Sequence, residues 1–402
     1  MKLKITDLRC AVIGGFPVVR ILTDAGIDGY GPVEHTKPYV RPSVLFFREA
    51  LVDQDPTDVE RVMLRIRQRG SFKPHGAAVS AIEIALWDIA GKAAGVPIYK
   101  LLGGKVRDRV RVYNGAIRER MTSFEPEDFA ANVRAMKALP QKFSFVKQGI
   151  GFHSGMKHAK ADFFFGETRR NPYHGHVDRG LLTERGLKHL VDCVAAMKAE
   201  LGDEVGLALD CGPGMTVPDA IRFARAVEPF NVMWLEDMIT GDYVPWVNAD
   251  VYREVTRATS TPIHTGEQIY LRQNFKALIE SHAVNIIGPD PCDIGGIAEL
   301  KWVAEYADLH GILMAPHGTA NGLLGLAALV QVCATMPDNY IAFELPWSQA
   351  GAAWWHDILD GLPDPIVENS HIAVWDAPGL GVTFSVEQAR PHLVDEDRAF
   401  FD

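Results

Sequence analysis

Three short apolar runs in the middle of the chain each end in a carboxylate: Asp210, Glu236 and Glu267. An isolated ionised carboxylate is costly to bury, so acids at the ends of buried strands indicate either a shared cation or three separate solvated loops. Successive acids are 26 and 31 residues apart. That is about the length of one strand-and-helix unit, and successive units bring the same strand end to one place. The spacing therefore favours a shared cation.

The ligand types indicate which cation this is. Three carboxylates from consecutive strands, with no cysteine or histidine among them, select a hard cation. Few protein ligands, with room for water and substrate, favour Mg²⁺ over Ca²⁺. We expect one Mg²⁺ per chain, for which Mn²⁺ could substitute.

The elements that position these acids belong to a long alternation of strands and helices that begins at Arg109. Eight strand candidates occupy residues 110–113, 145–149, 207–210, 233–236, 263–267, 286–290, 312–317 and 342–345. Amphipathic stretches long enough for crossover helices occupy residues 126–139, 182–201, 217–227, 296–310 and 321–335. Eight parallel strands over about 240 residues fit a barrel. A doubly wound sheet is the alternative, but its Gly-rich phosphate fingerprint does not follow the first strand.

Strands two to eight of this barrel each supply one polar residue at the C-terminal end, where the active sites of such barrels lie. In order they are Lys147, Asp210, Glu236, Glu267, Asp290, His317 and Glu344. A strand-end acid is often only a helix cap or a salt-bridge partner, and a lone histidine often only a core residue. Seven successive cases at the same end are hard to assign to chance.

The remaining four residues suggest acid–base chemistry around the cation. Asp290 and His317 lie on adjacent strands, so the carboxylate can hold the imidazole in one tautomer as a general base. Lys147 would lie across the barrel mouth, where it can neutralise a substrate carboxylate or move a proton. Glu344 can donate to, or position, an oxygen of a developing enolate.

Two further units flank the barrel, which we place at residues 111–350. Residues 1–110 read as an antiparallel meander followed by two helices, an α+β capping domain. Residues 351–402 form a C-terminal segment that we expect to pack back on that domain.

Three segments are candidates for substrate contacts. His35 lies in a polar and aromatic loop that could cover a pocket. Tyr173 and His174 lie in a stretch at residues 151–180 without helical or strand period, and such long loops are usually lids, binding loops or oligomer contacts. Trp347 follows the last strand.

The composition limits the partners. The chain has 402 residues and a formal charge of −10, which argues against nucleic acid or an anionic membrane. Five widely spaced cysteines without CxxC spacing indicate reduced thiols. No apolar run reaches transmembrane length, and the first residues lack a secretory signal. We therefore expect a cytoplasmic protein, a homo-oligomer, that takes a small-molecule carboxylate.

The sequence resembles the mandelate racemase and muconate lactonizing enzyme branch of the enolase superfamily over nearly its whole length. The resemblance rests on the motifs at residues 81–92, 101–104, 234–237, 266–267, 289–290, 295–296 and 315–317. It implies a modified (β/α)7β TIM-like barrel under an α+β capping domain. It also implies abstraction of a proton α to a carboxylate by a Lys or His base that works with Mg²⁺, as is general in this superfamily. By the same resemblance the Mg²⁺ lies on Asp210, Glu236 and Glu267.

Two positions depart from the family's patterns. Racemases of this branch carry Lys-x-Lys on strand two, but here the motif reads Lys147-Gln148-Gly149, which lacks the second base. Some acid-sugar dehydratases place a histidine two residues beyond the first metal ligand, and here that residue is Gly212. Mannonate dehydratases resemble this chain in their extended loop after strand two, from which Tyr173 or His174 could supply a catalytic group.

These observations favour a Mg²⁺-dependent dehydratase of a sugar acid, an aldonate or aldarate, that forms a 2-keto-3-deoxy acid. A racemase, epimerase or cycloisomerase would use the same enolate with a second base or a leaving group within a ring. A metal-binding barrel without activity, and a Schiff-base aldolase on Lys147, are further alternatives.

Overall fold

The computed structural model describes residues 3–115, 121, 123–166, 179–239, 248–318, 322–346 and 353–402. The chain begins with a three-stranded antiparallel sheet in the order β1 (Ile5–Ile13), β2 (Phe16–Thr23), β3 (Gly29–Pro32). Gly14 and Gly15 have φ of 56° and 91° in the turn between β1 and β2. Left-handed backbone of this kind favours glycine, so the Gly-Gly pair fixes the register of the hairpin.

Five helices complete the N-terminal unit. They are α1 (Arg41–Leu45), α2 (Arg48–Leu51), α3 (Val59–Gly70), α4 (Gly76–Ala94) and α5 (Ile98–Leu101). The long helix α4 packs directly on β3, where a Cβ on Gly31 would lie 1.8 Å from the carbonyl oxygen of Ala81. Only glycine allows this approach, so the backbones of α4 and β3 touch at this point.

Eight strands from the predicted set follow the same order as in the sequence prediction. The strands from Arg109 onward are β4 (Arg109–Tyr113), β5 (Phe145–Gly149), β6 (Phe164–Phe165), β7 (Leu181–Leu182), β8 (Gly206–Asp210), β9 (Trp234–Glu236), β10 (Ile263–Thr265), β11 (Ile286–Ile287), β12 (Leu313–Met314) and β13 (Phe343–Glu344). Strands β5, β8, β9, β10, β11 and β12 form one parallel sheet, and β13 pairs in parallel with β4. Parallel bridges from Asn114 to Val146 and from Met314 to Tyr340 link these two groups. All eight C-terminal strand ends therefore point the same way.

Helices connect the parallel strands on the outside. They are α6 (Pro126–Lys137), α7 (Met156–Ala159), α8 (Glu184–Leu201), α9 (Val217–Ala226), α10 (Ala249–Arg257), α11 (Lys276–Glu280), α12 (Ile297–Leu309) and α13 (Gly322–Cys333). The sequence prediction missed α10 and α11. These helices span nine and five residues, and α10 is nevertheless strongly amphipathic, so its sequence did carry a helical pattern.

The C-terminal segment contacts both earlier units. It contains α14 (Ala353–Ile358), β14 (Leu359–Asp360), β15 (His371–Ala373), β16 (Thr383–Phe384) and α15 (Val386–Ala389). Strand β15 pairs antiparallel with β4 at the edge of the parallel sheet. The Arg20 guanidinium of β2 donates to the carbonyl oxygen of Phe400 at 2.5 Å, and the amide of Val12 donates to Asp397 at 2.8 Å.

Short 3₁₀ turns lie between these helices and strands and after the last of them. The turns are Pro38–Val40, Lys73–His75, Gly151–His153, Glu228–Phe230, Arg272–Asn274, Arg390–His392 and Asp395–Phe401. All five cysteines are free and buried, as the sequence predicts for reduced thiols. Within the part of the chain that the structure describes, none of the helices combines the length and the apolar character needed to cross a bilayer.

A buried acid joins the N-terminal unit to the barrel. Glu83 of α4 accepts hydrogen bonds from the amides of Ile297 and Ala298 at 2.7 and 2.9 Å, at the first turn of α12. Trp87 donates to the same carboxylate at 2.7 Å. A Cβ on Gly296 would lie 2.0 Å from the carboxylate, so glycine makes room for it. Burial raises the pKa of Glu83 to about 7, against the effect of these donors. The carboxylate thus satisfies helix donors that would otherwise be orphaned at the junction.

We expect Glu83→Ala to lower the free energy of unfolding by about 2–4 kcal/mol, because it leaves buried backbone donors without an acceptor. Glu83→Gln is the matched variant, since it keeps the size and one acceptor oxygen, and it should lose less than half as much. Urea denaturation of both variants measures the effect. Equal stability of Glu83→Ala and the wild type would mean that water replaces the carboxylate at this junction.

Candidate active site

The three predicted metal ligands lie side by side at the C-terminal strand ends. Asp210 is directly opposite Glu236 in the parallel pair of β8 and β9, and Glu236 is opposite His264 of β10. Glu267 lies two residues beyond the end of β10. The side chains of Asp210 and Glu267 are each 13% exposed, whereas that of Glu236 is 1% exposed. We call these three residues the carboxylate row.

The aromatic floor of the barrel holds Glu236 in place. The Trp234 indole donates to Oε2 of Glu236 at 2.8 Å, and the His264 ring stacks on Trp234 with 5.2 Å between centroids. His264 Nδ1 lies 3.4 Å from the same oxygen. Burial would raise the pKa of Glu236, but Lys147 and His264 outweigh it and lower this pKa to about 2. Glu236 is therefore an ionised, fixed ligand candidate.

Lys147 lies inside the barrel mouth among three carboxylates. Its ammonium is 2.5 Å from Glu236 Oε1, 3.0 Å from Glu344 Oε2 and 3.9 Å from Asp210 Oδ2. Burial would lower the pKa of Lys147, but the carboxylates of Glu236 and Glu344 raise it well above its usual value. An ammonium held in this way is a poor nucleophile. The geometry thus argues against the Schiff-base aldolase.

His317 and Asp290 form the predicted dyad. Nδ1 of His317 lies 2.8 Å from Asp290 Oδ2, and Asp290 Oδ1 accepts from the amide of Cys292 at 2.7 Å. The carboxylate places the proton on Nδ1. Nε2 therefore faces the carboxylate row, 3.2 Å from Glu267 Oε2 and 3.7 Å from Glu344 Oε2. Burial would lower the pKa of His317, but Glu267 and Asp290 raise it well above its usual value.

The charges in this site fit a divalent cation. Burial raises the pKa of Asp210 to about 7, an effect that Lys147 only partly opposes, and burial likewise raises the pKa of Glu267. Lys147 and His317 alone thus leave the carboxylates short of positive charge. Glu236, Asp237 and Glu267 each offer an oxygen within 4.8 Å of the others. Oxygens of Glu236 and Glu267, two of the three predicted ligands, therefore come close enough to share one ion.

The position of Asp237 in that group differs from the prediction, which gives the third ligand as Asp210. Asp237 accepts a hydrogen bond from the Thr265 hydroxyl at 2.7 Å, and this hydroxyl also contacts that of Tyr252 at 3.0 Å. Asp210 is the last residue of β8 and lies directly opposite Glu236, whereas Asp237 lies one residue beyond the end of β9. We therefore retain Asp210 as the predicted ligand.

The N-terminal unit contributes an acid that the sequence prediction missed. Glu34 offers an oxygen within 4.8 Å of ligand atoms of Asp290 and His317. Burial would raise the pKa of Glu34, but Lys37 and His317 lower it to about 2. Because Asp290 and His317 already hydrogen-bond to each other, we interpret Glu34 as a charged neighbour of the dyad rather than as a ligand of a second metal site.

Lys37 fixes Glu34 to the barrel. Its ammonium lies 2.9 Å from Glu34 Oε2 and also forms an ion pair with Asp293, three residues beyond Asp290. Thr36 donates to Glu34 Oε2 at 3.0 Å. Glu34 lies two residues beyond the buried strand β3, and an acid at that place was the signal that the sequence offered for it.

We expect Lys37→Met to lower the free energy of unfolding by about 3–5 kcal/mol, because it leaves the buried carboxylates of Glu34 and Asp293 without their counter-charge. Lys4→Met, at an exposed lysine, is the control and should change stability by less than about 0.5 kcal/mol. Chemical denaturation of both variants measures this. A small loss in Lys37→Met would show that the ion pairs are largely hydrated.

The predicted substrate-contact residues differ in whether the structure describes them and in how near they lie to the site. His35 is exposed, and its ring contacts that of Phe16 with 5.6 Å between centroids. The residue of this loop that reaches the dyad is its neighbour Glu34. Tyr173, His174 and Trp347 lie outside the described residues. In the loop after β5, the structure instead brings His153 to the site, with Nδ1 3.2 Å from Asp210 Oδ1.

The chain is similar to known proteins over nearly its whole length. Residues 152–389 match the model of an enolase C-terminal domain-like family, and residues 13–103 match that of the mandelate racemase / muconate lactonizing enzyme N-terminal domain. A D-xylonate dehydratase of Haloferax volcanii is 33% identical over 99% of this chain and 90% of that protein. A D-galactonate dehydratase of Ralstonia nicotianae is 28% identical over 90% of this chain and 87% of its own length.

A solved structure gives the same result for the fold. The mandelate racemase/muconate lactonizing enzyme-like protein from Rubrobacter xylanophilus is 31% identical, covers 98% of both chains and superposes with a TM-score of 0.82. The predicted fold class, a TIM-like barrel with an N-terminal capping domain, is confirmed.

Proposed function

This chain belongs to the mandelate racemase and muconate lactonizing enzyme branch of the enolase superfamily, and from that premise we propose that it is a Mg²⁺-dependent dehydratase of an aldonate or aldarate. It is a hydro-lyase of this superfamily. The observation that carries the finer proposal is the His317–Asp290 dyad, whose Nε2 faces the carboxylate row at 3.2 Å from Glu267.

The proposed reaction begins at the dyad. Nε2 of His317 removes the proton α to the substrate carboxylate, and Asp290 stabilises the imidazolium that results. The electron pair of the C–H bond moves into the carboxylate to give an enediolate. When this electron pair moves back to form the Cα=Cβ bond, the β-hydroxyl is expelled. The resulting enol tautomerises to a 2-keto-3-deoxy acid. Lys147 and Glu344, joined at 3.0 Å, lie on the side of the enediolate oxygens, where charge develops.

Asp210, Glu236 and Glu267 would hold the Mg²⁺. When bound, this ion supplies positive charge that makes the α-proton more acidic. The chain's own residues then determine where the proton goes. Glu34, beside the dyad and fixed by Lys37, is placed to accept hydrogen bonds from substrate hydroxyls that reach the capping domain.

A screen of acid sugars with Mg²⁺ tests this proposal. D-xylonate, D-gluconate and D-galactonate come first, because the relatives are named for them. We expect at least one sugar acid to give a 2-keto-3-deoxy acid. Absence of 2-keto acid from every aldonate and aldarate, with a folded and Mg²⁺-loaded protein, would contradict the proposal.

A further inference from the structure

The carboxylate row has an imidazole at each end. His317 contacts Glu267 at one end, with Nε2 3.2 Å from Oε2. His153 contacts Asp210 at the other, with Nδ1 3.2 Å from Oδ1. The side chain of His153 is 26% exposed, so its ring borders open space rather than the core. We propose that His153 is a second catalytic residue, which protonates the departing β-hydroxyl. This inference rests on the proposed dehydration.

The backbone fixes His153 at this place. The amide of His153 donates to the carbonyl oxygen of Cys211 at 3.0 Å, one residue beyond Asp210. The amide of Ile150 donates to the carbonyl oxygen of Asp210 at 2.8 Å. The turn Gly151–His153 is therefore tied to the end of β8 by the residue before it and by its last residue, His153. A ring held in this way can act on a substrate without a large rearrangement.

Two glycines make room for His153. A Cβ on Gly212 would lie 2.6 Å from the backbone nitrogen of His153 and 2.8 Å from its Cα, and Gly212 has a φ of 63°. A Cβ on Gly149 would lie 2.8 Å from Cδ2 of the ring. These are the two positions at which the sequence departs from the racemase and dehydratase patterns. A side chain at 212 is sterically incompatible with His153 where it now lies, so the glycine and the histidine go together.

The chemistry needs a proton donor at this end. Because His317 contacts Glu267 at one end of the row, we place the substrate with its α-carbon at that end and its β-hydroxyl towards Asp210. When proton and hydroxyl leave from opposite faces, one imidazole cannot serve both. The Lys147 ammonium is held by three carboxylates within 3.9 Å, on the side where the enediolate oxygens are placed, so it is not positioned at the β-hydroxyl. His153 is the imidazole at the far end.

The proposed step balances in atoms and electrons. The enediolate pair forms the Cα=Cβ bond while the Cβ–O bond breaks, and the oxygen takes the bond pair. The N–H proton of His153 goes to this oxygen, which leaves as water. His153 regains a proton from solvent, and His317 loses the α-proton to the enol or to solvent.

A change of leaving group tests this role. The probe is the 3-deoxy-3-fluoro analogue of whichever sugar acid the wild type dehydrates, because fluoride leaves without a proton. For His153→Asn we expect kcat with the hydroxyl substrate to fall by about 10²–10⁴-fold, and kcat with the fluoro analogue to stay within about tenfold of the wild type. Exchange of the α-proton in deuterated water should persist, because His317 is intact.

Controls separate this role from support of Asp210. His282→Asn replaces an exposed histidine and should leave all rates unchanged. His153→Gln serves if His153→Asn does not fold. Calorimetric titration with Mg²⁺ should give similar affinities in the wild type and the His153 variants.

Three results would overturn the inference. The first is an unchanged kcat of His153→Asn with the hydroxyl substrate. The second is an equal loss with both leaving groups, together with weaker Mg²⁺ binding, which would make His153 a positioning residue for Asp210. The third is a His153-dependent C2 epimer of the substrate, which would make it a second base. A wild type that dehydrates no sugar acid would contradict the proposed function itself, and with it the need for this acid.

Discussion

In His317→Asn, the rate of dehydration and the rate of α-proton exchange in deuterated water should both fall about 10³–10⁴-fold. Asparagine keeps a side chain of similar reach but has no basic nitrogen. The substrate would still bind, so KM should change far less than kcat. The reason lies in the geometry, because Nε2 is the ring nitrogen that faces the row while Nδ1 is held by Asp290 at 2.8 Å. Steady-state kinetics and NMR exchange measure both losses.

Asp290→Asn gives a graded comparison. It leaves the imidazole in place but removes the charge that orients it, so we expect a smaller loss, about 10²-fold. The surface variant His282→Asn should behave as the wild type. If His317→Asn exchanged the α-proton at the wild-type rate, another residue would be the base and the role assigned to the dyad would be wrong.

Loss of a metal ligand should have the second large effect. Removal of Mg²⁺ by a chelator should abolish dehydration, and added Mg²⁺ should restore it. In Asp210→Ala, we expect Mg²⁺ affinity and turnover to fall by at least about 10³-fold, because several kcal/mol of charge stabilisation are lost. The control is Asp203→Asn, at an exposed acid near β8. Calorimetric titration with Mg²⁺ and kinetics measure these effects.

Stability gives an independent readout at the same position. The folded-state pKa of Asp210, about 7, lies above the value of 3.8 expected in the unfolded chain. The metal-free protein should therefore lose stability as pH rises from about 4 to about 7, since the folded state retains a proton that the unfolded state has released. Asp210→Asn should remove this part of the pH dependence, so its difference from the wild type grows with pH. Unchanged Mg²⁺ affinity in Asp210→Ala would contradict the assigned ligand set.

Much of the site was predictable from the sequence because a barrel converts chain order into position. Once Asp210, Glu236 and Glu267 are placed at successive strand ends, their proximity follows from the parallel pairing of β8, β9 and β10. The dyad of Asp290 and His317 follows in the same way. Glu267, Asp290 and His317 lie two or three residues beyond the ends of β10, β11 and β12, near enough for the strands to place them.

The contributions from loops and from the other unit were not predictable in this way. Glu34 reaches the dyad only because the first sheet packs over the barrel and Lys37 binds Asp293. His153 reaches Asp210 only because the turn after β5 folds back on the carbonyl oxygens of β8. Sequence periodicity does not encode how such turns pack. The glycines at 149 and 212 were the available signal, since they marked space that another group had to fill.

One measurement tests the central claim most directly: NMR of a sugar acid incubated in deuterated water with the Mg²⁺-loaded enzyme. The proposed function predicts that at least one aldonate or aldarate becomes a 2-keto-3-deoxy acid with deuterium at C3. It also predicts that His317→Asn forms this product far more slowly than the wild type. Recovery of every acid with its hydroxyls intact, whether unchanged, deuterated at C2 or inverted there, would contradict a dehydratase.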